Sequence, residues 1–552
     1  MKLLEKKDYL LMVVKTILLT ISYEFVFRSL FTPRLEIFGF FFVIVITCEI
    51  IEKRIDFSKK TSFSCFNRIE IFLVSFVILL CTLSFTFIHW ALGVFPLDKA
   101  DRVIMTLRMP VEGFTSLFVV DFFKSSSFFC IILFLFSFLC FIKIFSFFKK
   151  NKITFLIPVL CFLTIDAYWI GHNIPQSSLK QYVDFIFSEP PLPEKSQFFE
   201  DNFTPVQDSL ISVDGNTKNL ILIFLESIEN NFFEYMPELK KIAQENYSFN
   251  NGPGLGGGYS VVGTTFTMSS IIANTTGLPL LFFSRAIEKV SNSGAYVYFP
   301  KQKSVYEILH NYEYDNVFLQ GTSSSFAGKR SFFMNHGIDQ IYDVDNIDLP
   351  KETSFDKYMS DFHPGFSDRT LFDIAKNILD TISNRKFSLT MLTVDTHFPH
   401  GFLDEKCPIK PSSKSETDVY KAILKCTSLN IASFVDWVKQ QPYAENTMIV
   451  LIGDHPFMGN MLVGKIAPED RKFVNVYINP QRVVPNTQRT ITAFDMYPTI
   501  LDGLGFNVNG EKLAFGRSLF SEDETLIEKM GKDSLEKELK KIMNSKDYQD
   551  IL

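Results

Sequence analysis

Two hydrophobic textures divide the chain. Up to about residue 170 long apolar runs are broken by short polar stretches, and beyond about residue 215 the apolar runs shorten and alternate with amphipathic segments. In the first region, residues 9–30, 35–51, 71–95, 127–148 and 153–168 are each long enough, or nearly so, to span a bilayer. Lys15 interrupts the first span, and Lys143 falls near one end of the fourth, where its stem can snorkel. The charged start MKLLEKKDY leads into apolar sequence with no small-residue cleavage site, the pattern of an uncleaved anchor.

Basic residues set the expected orientation. The loop after the second span carries Lys53, Arg54, Lys59, Lys60 and Arg68, and the one after the fourth carries Lys149, Lys150 and Lys152. Residues 96–124 mix both signs of charge. With short positive loops inside, five spans place everything beyond about His172 on the outer side of the membrane. Residues 174–218, with Pro190, Pro191 and Pro193 and no sustained periodicity, are expected to be a linker along the membrane surface.

From Asn219 the pattern changes to strand and helix in alternation. NLILIFLES stops at Glu226, FSLTMLTVDTH stops at Asp395 and His397, and TMIVLIGDH stops at Asp454 and His455. Short Ile-, Leu- and Val-rich runs of this kind are strands covered on both faces, as in a parallel sheet. A further strand is predicted over 316–319, and helices over 304–311, 367–383, 418–440 and 494–504, the last despite Pro498. The fold expected for residues 219–520 is therefore an α/β sandwich with a mostly parallel sheet, following a five-helix transmembrane domain over 1–173. The charge-dense residues 521–552 have helical spacing and are expected to form a charged C-terminal helix or tail with a solvated face.

Composition sharpens this picture in three ways. Hydrophobic residues make up 47% of the 552, with 61 Phe, an excess concentrated in the first third. The net charge of −6 offers no basic footprint for a nucleic-acid partner. Six of the eight cysteines lie in or between the proposed spans, leaving only Cys407 and Cys426 in the large C-terminal part. Two cysteines in an exported domain point to a disulfide.

The strand ends carry the chemistry. In open parallel sheets the ligand crevice lies beyond the carboxyl ends of the strands, so Glu226, His397, Asp454 and His455 are expected on one edge. The glycine-rich loop 254–258 and the apolar helix beginning near Thr267 suggest an anion site with a hydroxyl beside it. Thr267 is the candidate nucleophile, with Thr264 and Thr265 close enough to compete. Glu226, Asp454 and His455 with a threonine oxygen form a hard donor set suited to a divalent cation.

The order LES, GTTFTMSSIIANTTGLPL, VDTHFPHGF, GDH and ITAFDMYPTILDGLG resembles the alkaline phosphatase/sulfatase superfamily. Within it the chain looks like the phosphoglycerol transferase and lipoteichoic acid synthase group, over about residues 219–520 and in its membrane layout. The resemblance implies metal ligands Glu226, Thr267, Asp454 and His455, a Thr267 nucleophile, and His397 in a headgroup pocket, with Lys329 and Arg330 of the stretch 321–337 as further headgroup contacts. It implies one divalent ion, manganese before magnesium or zinc. It also implies transfer of phosphoglycerol from phosphatidylglycerol to an envelope glycan through a phosphothreonine, releasing diacylglycerol, at the bacterial inner membrane with the catalytic domain in the periplasm. The alternatives are a phosphoethanolamine transferase acting on lipid A or another envelope glycan, and a non-catalytic membrane scaffold. Pro456 departs from the pattern of several relatives, and no cysteine lies between Cys161 and Cys407, which disfavours sulfate ester hydrolysis. His336 and His400 are expected at the surface or a pocket rim.

Overall fold

The structure is a computed structural model that describes residues 174–187, 194–251, 255, 257–281, 298–347, 365–398, 400–459, 461–484, 486–543 and 545–551. The spans expected within 1–173 lie outside the described residues, and among the described residues no helix is long and apolar enough to cross a membrane.

Six strands form the main sheet: β1 Asn219–Leu225, β2 Asp315–Gln320, β3 Gln340–Tyr342, β4 Phe387–Leu392, β5 Thr447–Gly453 and β6 Asn475–Ile478. Their spatial order is β3-β2-β4-β1-β5-β6, parallel throughout except for β6, which pairs antiparallel with β5 at the edge. Every residue of β1, β4 and β5 is buried, because helices cover both faces of these central strands. The principal helices are α1 Pro237–Glu245, α2 Thr267–Thr276, α3 Val305–Asn311, α4 Lys329–Asn335, α5 Asp368–Ile382, α6 Glu416–Lys439 and α7 Ala493–Leu504. One core joins Ile221, Ile223 and Leu225 of β1 to Leu371 and Phe372 of α5 and to Leu424 and Ile431 of α6. The alternate residues Leu220, Leu222 and Phe224, also fully buried, point to the other face, where α2 and α7 pack together.

Local sequence accounts for the helix limits. Ser304, Ser367 and Ser415 cap α3, α5 and α6 by accepting backbone N–H bonds. α2 stops at Gly277 in the left-handed region. α7 runs through Pro498, whose missing N–H leaves the Phe494 carbonyl without its helical donor.

Three expectations are corrected. The supposed linker contains a helix at Gln176–Phe187, a second at Gln197–Asn202 and a strand at Ile211–Val213 that pairs with Phe506–Val508. Phe199 and Phe203 anchor the second of these helices against Phe515, so aromatic contacts replace the missing long periodicity. The charged C-terminal segment is helical as expected, over α8 Leu526–Met530, α9 Lys532–Ile542 and α10 Lys546–Ile551, but it is no free tail, since Leu535, Leu539, Ile542 and Tyr548 are fully buried. Most of its charges lie on the outer faces, while Glu528 turns inward to pair with buried Arg489. The described part of the glycine-rich loop is not a cradle at the start of α2: Gly258 exchanges backbone hydrogen bonds with Phe473, and seven residues lie between it and the Phe266 cap.

Candidate active site

The candidate groups sit where strands and one helix end. Glu226 follows β1, and Ser227 behind it takes a left-handed φ of 57°, an uncommon conformation for a residue with a side chain. Its amide donates to Asp454 Oδ1 at 2.7 Å and its hydroxyl to Glu226 Oε1 at 2.8 Å, so the sharp turn ties two carboxylates together. Glu226 is fixed at its backbone too: Thr393 Oγ1 accepts its N–H at 3.0 Å, and Thr396 Oγ1 donates to its carbonyl. Asp454 follows β5 at Gly453, where a Cβ would come within 2.0 Å of the Ile228 carbonyl. Only glycine lets the ends of β1 and β5 approach this closely.

Four side chains meet at one buried point. Thr267 Oγ1, at the first turn of α2, donates to Glu226 Oε2 at 3.2 Å and lies 3.4 Å from His455 Nε2. Nε2 is 3.4 Å from Asp454 Oδ2 and 3.7 Å from Glu226 Oε1. Ligand atoms of Glu226, Asp454 and His455 all lie within 4.8 Å of one another. His455 Nδ1 donates to the Pro456 carbonyl at 3.0 Å, which leaves Nε2 as the acceptor facing the carboxylates.

The electrostatics fit a cation. Burial pushes the Glu226 carboxyl above its usual range, the neighbouring Asp454 pushes it further, and His397 and His455 partly oppose the shift. Burial raises Asp454 to about 7 even though it accepts the amides of Ser227 and His455. Asp454 Oδ2 is buried with no hydrogen-bond partner. An orphaned carboxylate oxygen, a second buried carboxylate, an imidazole nitrogen and a hydroxyl form an electron-rich pocket that costs free energy unless a positive charge compensates it. These residues suit one divalent ion.

The other expected residues surround this point at different depths. Lys329 is buried at the start of α4, donates to the Phe326 carbonyl at 3.0 Å and lies over the Phe326 ring. Burial lowers it to about 8, against the pull of Glu226, Asp343 and Asp454. Arg330 is tied to buried Asp343 at 3.0 Å. His397 is half-buried and its Nδ1 donates to the Phe398 carbonyl at 2.6 Å.

Thr264 is turned away from the cluster, bonded to the amide and carbonyl of Val261. Asp395 is also outside it, accepting the Asp368 amide while Asp368 accepts those of Val394 and Asp395. His336 is buried between Glu307 and the Tyr298 carbonyl rather than at a rim, whereas His400 is exposed. Cys407 and Cys426 form a disulfide with Cα atoms 6.1 Å apart.

Sequence reasoning passed over Thr393, Thr396, Asp368, Glu229 and Arg471. The polar character of Thr393 and Thr396 just past an apolar strand was the available signal for the first pair. Nothing in the sequence links Glu229 to Arg471.

The profile of the sulfatase family matches residues 218–506. Phosphoglycerol transferase I of Escherichia fergusonii is 32% identical over 318 residues, covering 55% of this chain and 39% of that relative. The same-named protein of Citrobacter koseri is 31% identical over 317 residues, again covering 55% and 39%. The match thus spans well under half the length of these curated relatives. Among solved structures, the lipoteichoic acid synthase LtaP from Listeria monocytogenes is similar with a TM-score of 0.45 and 18% identity, covering 56% of this chain and 79% of that one.

Proposed function

Because the chain belongs to the sulfatase family, we propose that it is a phosphotransferase that moves phosphoglycerol from phosphatidylglycerol to a hydroxyl of an envelope glycan. The observation that carries this reading is the convergence of Thr267, Glu226, Asp454 and His455 on one buried point. The names of the curated relatives supply the transferred group.

Glu226, Asp454, His455 and Thr267 would hold a divalent cation, manganese by preference. Such an ion, when bound, makes a threonine hydroxyl a competent nucleophile at neutral pH and offsets phosphoryl charge. Thr267 Oγ1, its hydrogen directed at Glu226 Oε2, forms a bond to phosphorus and gives up its proton. The bond from phosphorus to the diacylglycerol oxygen breaks, and that oxygen leaves protonated. His397 acts electrostatically on Glu226 and has Nδ1 occupied by the Phe398 carbonyl, so its Nε2 is an acceptor that takes up the proton given by Thr267 and delivers it to the leaving oxygen, or accepts a headgroup hydroxyl. An acceptor hydroxyl then attacks the phosphothreonine, and Thr267 regains its proton. Lys329 and Arg330 are assigned to the headgroup, Lys329 as the buried cation whose charge Glu226 and Asp454 favour.

The same proposal gives residues 1–173 to a bilayer anchor with the catalytic domain on the periplasmic face of the inner membrane. An interfacial site raises the effective concentration of a lipid donor. The test is incubation of the full chain with labelled phosphatidylglycerol or phosphatidylethanolamine, manganese and candidate glycans. Diacylglycerol release and glycan labelling from phosphatidylglycerol are expected. Labelling only from phosphatidylethanolamine would replace the donor, and labelling from neither would remove the activity.

A further inference from the structure

Buried Glu229 and its partner Arg471 lie outside the four-residue cluster, yet they close on the loop that carries His455. Residues 229–230 are zipped to 472–473: Glu229 bridges Phe473, the Asn230 amide donates to the Lys472 carbonyl at 2.9 Å, and Asn230 Oδ1 accepts the Lys472 amide at 3.1 Å. This pairing sets Arg471 against Glu229, with Nε 2.9 Å from Oε2 and 3.2 Å from Oε1. Both side chains then reach the backbone of Phe457. Glu229 Oε2 accepts the Phe457 N–H at 3.1 Å, and Arg471 Nη2 donates to the Phe457 carbonyl.

The Phe457 N–H and the Pro456 carbonyl belong to one planar peptide unit. On one edge that plane is held by Glu229, and on the other its oxygen accepts His455 Nδ1–H at 3.0 Å. The ring is thereby oriented with Nε2 toward Glu226, Asp454 and Thr267. Phe457 itself is buried against Phe232 and Tyr420, which stops the unit from rotating. An ion pair with Glu229 fully buried is a poor way to gain stability, since an apolar pair of similar size does as well or better.

We propose that Glu229, locked by Arg471, is a positioning residue for His455, acting through the Pro456–Phe457 peptide to present Nε2 to the cation. This rests on the cation reading of the site given above. A carboxylate bonded directly to a ligating imidazole plays the same part in many metal sites, and its loss typically costs about 10- to 100-fold in metal affinity; here a peptide plane stands between the two.

The test compares two double variants of the full chain, stripped with chelator and titrated with Mn2+ by calorimetry. Glu229→Gln with Arg471→Met and Glu229→Met with Arg471→Met both abolish the ion pair and leave no unpaired charge. Only the glutamine retains an acceptor for the Phe457 N–H. Positioning predicts near wild-type Mn2+ affinity for the glutamine variant and a loss of about tenfold or more for the methionine variant, at similar thermal midpoints of the metal-free proteins. Equal Mn2+ affinities in the two variants would overturn the proposal and reduce the pair to a structural ion pair. If the doubles do not fold, the singles Glu229→Gln and Glu229→Met carry the comparison with respect to charge, because both leave the Arg471 guanidinium without its carboxylate. Failure of the wild-type chain to bind Mn2+ would instead sink the cation reading, and this proposal with it.

Discussion

In the proposed mechanism the chemistry turns on Thr267, and its neighbours say why. Its hydroxyl lies within reach of both Glu226 and His455, whereas Thr264 is consumed by Val261. Thr267→Ala is expected to fold, as judged by circular dichroism, and to lower transfer by roughly a thousandfold or more; Thr267→Ser should keep part of the activity. Asp368 supports a different prediction. Burial raises its carboxyl from 3.8 to about 7, so between these values the folded chain binds a proton that the unfolded chain does not. Its contribution to stability is therefore fully present below 3.8 and is lost as pH rises through about 7. The thermal midpoint of the metal-free protein should fall between about pH 4 and 7, and Asp368→Asn should flatten that fall. An unchanged slope would refute the assignment. Glu226, Asp454 and His455 were legible in the sequence because each ends an apolar run. Glu229 and Arg471 were not, because a lone Glu or Arg near a strand end is ordinarily a surface residue, and 242 positions separate them.

At the scale of elements, the segment bearing His397 is strapped to α6. Gly401, with a left-handed φ of 67°, leaves no room for a Cβ, which would lie 2.8 Å from both the Asp395 carbonyl and Ile423. Tyr420 donates to the Thr396 carbonyl at 2.8 Å, and the Cys407–Cys426 bridge closes the strap. Replacing both cysteines by serine should lower the unfolding free energy by about 2–4 kcal/mol in denaturant titrations. The C-terminal helices make a second fastening. Tyr548 donates to the Pro279 carbonyl at 2.6 Å and accepts the Leu281 amide at 2.9 Å, just beyond α2. Tyr548→Phe leaves that buried amide and carbonyl unmatched and should cost about 1–3 kcal/mol by the same measurement. The central strands and most helices were readable from period and capping residues. The C-terminal packing was not, since SLEKELKKIM is dominated by charge and its buried Leu535, Leu539 and Ile542 form a narrow stripe.

At the scale of the sheet, its parallel strands gather side chains from two strand ends and one helix start at a single buried point on one edge. That convergence follows from the direction of the strands, and the sequence announces it by placing acids and imidazoles directly after them. What the sequence left open is which threonine faces the carboxylates, because the three lie within four positions and only the point at which α2 begins puts Thr267 on its first turn and leaves Thr264 and Thr265 in the turn before it. A lipid donor gives the apolar first third of the chain its purpose in this account. The most direct test of the central claim is mass analysis of the tryptic peptides after the chain is quenched during turnover of phosphatidylglycerol with manganese present. The account predicts a phosphoglycerol adduct on Thr267, absent when the metal is chelated. An adduct on another side chain, or turnover with Thr267 unmodified and replaceable by alanine, would contradict it.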